Sequence, residues 1–213
     1  MDALHPPSVQ FTALRMVDGH WTVDHHGMAH IAKLLAPALL ACIALALPAS
    51  ASAASCSNTD VVPSAANIAT VKSATLCLLN RERTSRGRSK LRSDRQLAKA
   101  AQRFSASMVR QRFFDHVSPS GSTLASRVRR GTSYLRGRVR SWSLGENIAW
   151  GSGELASPRQ IVRSWMKSPG HRRNILDRRF RHIGLGVATG APDDVQGQPA
   201  ATYTTDFGFR RQR

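Results

Sequence analysis

From Asn67 onward the apolar positions fall into helical register. Ile68, Val71, Leu76 and Leu79 form one stripe in a run that Gly87 closes, so the pattern predicts a first helix there. A second helix is expected to open at Ser93, with Gln96 three residues on completing a capping box. Leu97, Ala101, Phe104, Met108 and Phe113 then recur at helical spacing with Arg and Lys on the other face, which marks them as core. Pro119 and Gly121 form a turn, and "STLASRVRRG" restarts a short helix through Leu124 and Val128. "TSYLRGRVRSW" reads as basic, irregular and exposed. Ser157, Pro158 and Gln160 open a third capped helix with Ile161 and Trp165 inward, and "SPGHRRNILD" breaks and turns the chain.

Period-two alternation comes late. Ile183, Leu185 and Val187 share one face of "HIGLGVAT" with glycine on the other, and "ATYTTDFGF" is a second alternating run beyond the loop "APDDVQGQPA". Helices first and antiparallel strands late predict an α+β layered domain, with no internal repeat and no second domain.

The leader changes the compartment. Residues 28–53 combine a basic start, an apolar run and an "ASA" ending at Ala51 to Ala53, the three parts of a cleaved signal peptide. The apolar run is shorter than the ~20 residues a bilayer span needs and carries a proline, so no transmembrane segment is expected in the mature chain. Cys42 sits inside that run rather than at its end, which argues against lipoprotein processing. Residues 1–27 are polar and fit no signal design; the simplest reading is a start at Met28 or Met16, or a disordered stretch. Residues 54–66 read as an extended arm and 67–213 as the domain. Two cysteines follow the leader, and an even number in an exported chain predicts a Cys56–Cys77 disulfide tying arm to first helix.

Charge adds a partner class. The 213 residues hold 31 Lys and Arg against 13 Asp and Glu, a net charge of +18, which attracts anionic surfaces or polymers such as cell wall or lipid head groups. Aromatics at 6% argue against a stacking reader of nucleic acid. The densest basic stretch, Arg127 to Arg140, reads as a solvated face rather than a phosphate-reading surface.

Against that background His116, Glu146, His171 and His182 stand in contexts uncomfortable for purely structural residues. Their separations are wide, and no local metal-binding spacing of the H-E-x-x-H kind occurs. Taken singly, each histidine fits a capping or buried structural role. In order along the chain, "FFDHVSPSG", "LGENIAWG", "IVRSWMKSPGHRRNIL", "RHIGLGVA" and "YTTDFG" resemble the bacterial branch of the CAP superfamily, the SCP domains. The resemblance covers about residues 77–209, and "LCLLNRER" resembles the family's first helix.

That resemblance implies a three-layer α-β-α sandwich with a small antiparallel sheet and a central cleft lined by His116, Glu146 and His171, with Asn147 and Ser168 beside them. Many members carry a second glutamate three residues after the tryptophan of the third helix; here Trp165 is followed at that place by Ser168, leaving a triad. The expected function is a secreted binding or interaction module whose His/Glu cleft takes a divalent cation, lipid or cell-wall ligand. Zinc is the natural cation, with His116 and His171 as ligands. A second reading is a peptidase or esterase using His116, Glu146 and His171, with water or Ser118 attacking. No nucleophile-elbow motif supports it. A third, nucleic-acid binding, rests only on the arginines.

Overall fold

The computed structural model describes residues 9–17, 20–22 and 55–212, the first two stretches as backbone only. The expected leader at 28–53 lies outside the described residues, as does most of 1–27. The chain divides into two compact units, Met1–Val23 with Cys56–Arg213, and Asp24–Ser55; of the second, only Ser55 is described.

The first unit carries a mixed sheet of strand order β2-β1-β4-β6-β5-β3. Its strands are β1 (Val9–Val17), β2 (His20–Thr22), β3 (Arg92–Ser93), β4 (Val139–Ser152), β5 (His182–Thr189) and β6 (Ala200–Gln212). Every pairing is antiparallel except the two-residue β3–β5 contact. Helices α1 (Ile68–Thr84), α4 (Pro158–Lys167) and α5 (Pro169–Leu176) cover one face, and α2 (Arg95–Gln111) and α3 (Leu124–Gly131) the other. The result is a three-layer α-β-α sandwich of the α+β class.

Alternation along each strand divides the core between the two faces. Ile183, Leu185, Val187, Tyr203 and Phe207 pack with Val71, Leu78, Leu79, Ile161 and Trp165 under α1 and α4. On the opposite face Leu144 meets Leu97, Leu124 and Val128, and Ile148 meets Phe104 and Met108. The glycines of β5 point to α2: a Cβ on Gly184 or Gly186 would run into the backbone at Leu97 or Ala101. Those two glycines let the helix lie directly on the strand.

Several local expectations are corrected. The N-cap of α2 is Asp94, not Ser93; its carboxylate accepts from the amides of Gln96 and Leu97. Ser157 does precede α4, but its side chain makes no cap bond. "SPGHRRNILD" is a helix, because Pro169 at its first turn needs no amide partner and so starts α5 instead of ending a helix. The supposedly irregular stretch after Thr132 buries Tyr134 completely and runs into the fourteen-residue β4. On α1, Leu78 joins the expected Leu79 as a buried leucine, while Leu76 is only partly buried.

The arm is pinned twice. Cys56 and Cys77 form a disulfide across 21 residues, and Arg159 donates to Asp60 at 2.6 Å. Arg83 anchors the other end of α1. Its fully buried guanidinium donates to the carbonyls of Ser89, Ile175, Asp177 and Phe180, and burial pulls its pKa down to about 10.

Candidate functional site

The site grows from the alternation of β4. Leu144, Glu146 and Ile148 point to the α2–α3 layer, while Gly145, Asn147 and Ala149 point to α4 and α5. Gly145 must be glycine, since a Cβ there would sit 2.8 Å from Phe180 Cζ and 3.2 Å from Asn174 Oδ1. That close approach fixes the strand where Glu146 leaves it.

Glu146 is fully buried and both its oxygens are taken. His116 Nδ1 lies 2.7 Å from Oε1, so the imidazole donates its Nδ1 proton to the carboxylate. Arg127 Nη2 donates to Oε2 at 2.5 Å. Arg127 is itself placed by three other contacts: its Nη1 donates to the carbonyls of His116 at 3.0 Å and Ser122 at 2.8 Å, and its guanidinium lies 3.4 Å from the centre of the Phe104 ring. Burial alone would raise the Glu146 pKa, but Arg127 and His116 outweigh it and hold the carboxyl below its usual range. Among the described residues His116 Nε2 is buried without a hydrogen-bond partner.

Asp206, absent from the sequence-based site, stands next to Glu146. The two residues are register partners on β4 and β6, so their side chains share a face. Asp206 is fully buried, and among the described residues no N–H or hydroxyl donor reaches its carboxyl oxygens, whose neighbour is the Glu146 carboxylate. Burial first, and the Glu146 charge second, push its pKa well above the ordinary carboxylate value. The surroundings therefore push the two buried acids apart, Glu146 toward its ionised form and Asp206 toward its protonated form.

His171 comes from the other layer. It sits on α5, buried, with Nδ1 2.7 Å from the Ser168 hydroxyl. Ser168, which replaces the expected second glutamate, thus orients the imidazole by a neutral hydrogen bond. Asn147 Nδ2 donates to the His171 carbonyl at 3.2 Å, and Asn174 Nδ2 donates to Asn147 Oδ1 at 2.9 Å and to the Glu146 carbonyl at 3.2 Å. Of the three expected side chains, His116 and Glu146 meet directly, and His171 is joined to the Glu146 strand through the asparagines. His182 lies elsewhere, 2.9 Å from the buried Tyr134 hydroxyl.

Comparison with known proteins decides the family. Residues 76–205 match the cysteine-rich secretory protein (CAP) family. The chain belongs to that family. Two Bacillus subtilis (strain 168) relatives match about half of the chain. The uncharacterized protein YkwD is 40% identical over 110 residues, 51% of this chain and 39% of that protein. The uncharacterized membrane protein YlbC is 32% identical over 112 residues, 53% of this chain and 30% of that protein. The chain therefore aligns with well under half of each relative. Among solved structures, an extracellular SCP-domain protein of Bacillus anthracis str. Ames is similar at 26% identity and TM-score 0.49, over 68% of this chain and 44% of that one. An outer surface protein of Borrelia burgdorferi is similar at 17% identity and TM-score 0.49, over 64% of this chain and 90% of that one.

Within this CAP domain Glu146, with one oxygen on His116 and the other on Arg127, is not offered as a further ligand to the divalent cation expected at His116 and His171. Among the described residues no group of three or more His, Cys, Asp or Glu side chains is arranged to hold a metal ion. A guanidinium already fills the second coordination direction of Glu146, and a cation brought there meets that like charge. Ser118 is likewise committed: its hydroxyl pairs with Ser120 at 2.9 Å and accepts from the Ser122 amide at 3.0 Å.

Arg127 also corrects the reading of the basic stretch as uniformly solvated. Its side chain is only 10% exposed, and its charge is spent on Glu146. The sequence signal that could have found it is the spacing from "RV" to the α3 cap. Thr123 caps α3 through the Ser126 amide, which puts Arg127 one turn into the helix on the face turned to β4.

Proposed function

We propose that this CAP protein is an exported binding module rather than a hydrolase, and that its ligands are anionic. The observation that carries this reading is the closed state of Glu146: a fully buried carboxylate with one oxygen on His116 and the other on Arg127. A general base must be free to take a proton near neutral pH. A carboxylate held ionised by two donors is a poor base and a good scaffold. The net charge of +18 supplies long-range attraction for an acidic surface.

Co-sedimentation with phosphatidylglycerol and phosphatidylcholine vesicles tests the reading. Binding to the acidic vesicles alone is expected at about 0.15 M salt, with release at about 1 M, where the screening length falls to ~3 Å. Equal binding to both vesicle types, or none to either, ends it.

One observation favours the hydrolytic alternative, the unpartnered Nε2 of His116. A water or substrate reaching that nitrogen meets a base whose other nitrogen is oriented by Glu146. Turnover of a peptide or ester panel that is abolished by H116A and E146Q supports this alternative; turnover surviving both substitutions points to a contaminant.

A further inference from the structure

We propose that the cavity between α2 and α3 is a binding site for a phosphate group. Its volume is about 520 Å³, within the range of roughly 300–1,000 Å³ common for small-molecule sites. Arg103 of α2 and Arg127 and Arg130 of α3 line it together with Ser120, Ser122 and Ser126, and no carboxylate is among the lining residues.

Charge accounting singles this cavity out. Glu146 neutralises Arg127 from behind the wall. Arg103 and Arg130 are exposed, and Arg103 reaches only the Gly131 carbonyl at 3.5 Å, the outer limit of a hydrogen bond. Two guanidiniums facing one space without an acid repel each other, and an anion between them relieves that repulsion. Phosphate fits best because its tetrahedral oxygens accept from planar guanidinium forks and from hydroxyls at once. One hydroxyl is ready: Ser126 donates to the Thr123 carbonyl at 2.9 Å, while Ser122, 3.0 Å from Ser126, can turn its proton toward an incoming oxygen. A cavity of similar size, about 480 Å³ beside α5, also has basic residues in Lys167, Arg172 and Arg173, but Asp177 lines it and offsets them. A wall of mixed sign selects no anion.

The proposal deepens the anionic-ligand reading by naming a chemical group, yet it can be tested apart from it. Titration calorimetry of the protein with inorganic phosphate and with glycerol phosphate is the first arm, and phosphatidylglycerol vesicles are the second. Saturable binding of the soluble phosphates is expected, weakened about tenfold or more in the R103Q/R130Q double variant and unchanged in R172Q/R173Q, each of which removes two charges. Both Arg103 and Arg130 are exposed, so the double variant should unfold at the wild-type temperature. No saturable heat with either soluble phosphate, equal loss in both double variants, or no loss in R103Q/R130Q overturns the site. Vesicle binding that fails while soluble phosphate still binds leaves the site standing and removes the surface-binding reading.

Discussion

Glu146 and Asp206 stand opposite each other on β4 and β6, both fully buried, and only Glu146 is supplied with donors. Two buried carboxyls on paired positions of neighbouring strands cannot both ionise in a low-dielectric interior at tolerable cost. His116 and Arg127 decide which one keeps the charge.

Replacing Asp206 by Asn should therefore stabilise the protein on the alkaline side. A group whose folded pKa is raised contributes stability that is present at low pH and lost as pH rises through the folded value. D206N removes that loss and keeps the shape. Thermal unfolding should show a D206N gain that grows as pH rises above the ordinary carboxylate range, and little difference at pH 4.

Acid should act through Glu146. Its folded pKa is depressed, so its contribution is complete above the unfolded carboxylate pKa and disappears as pH falls through the lowered value. Wild-type stability should fall steeply below about pH 4, and E146Q should flatten that limb. Chemical denaturation across pH 2 to 7 measures it.

Breaking the buried ion pair from either side should be costly. E146Q or R127Q leaves an uncompensated charge or donor in the interior, with an expected loss of about 3–5 kcal/mol. The double substitution should cost less than the sum of the singles, because each removes the other's stranded partner. Denaturant titration of the four proteins gives the coupling energy directly.

The disulfide should matter to stability without touching the site. C56S/C77S opens a loop of 21 residues and should cost about 2–4 kcal/mol. Phosphate binding by calorimetry should survive wherever the variant stays folded.

The helical stripes, the late strands and the disulfide are legible because each rests on local periodicity or simple parity. Ile183, Leu185 and Val187 alternate visibly, and Leu97, Phe104 and Met108 keep helical spacing. β4 is hidden because both its faces are covered. Buried positions run without a break from Ser143 to Ser152, which erases the polar–apolar alternation of a half-exposed strand. Pro169 disguises α5, since the same residue that breaks a helix also starts one. At the site, motif resemblance reaches His116, Glu146 and His171, but not their electrostatic partners. Arg127 is one arginine among many in a basic stretch, and Asp206 sits inside an ordinary Thr-rich strand. Only the β4–β6 register, a long-range property, brings Asp206 to Glu146.

The most direct test of the account follows the two carboxyl carbons by ¹³C NMR while pH is varied. The account predicts that near pH 7 the Glu146 carbon reports an ionised group and the Asp206 carbon a protonated one. Ordinary titration of both in the usual acid range, or a protonated Glu146 at neutral pH, would contradict it.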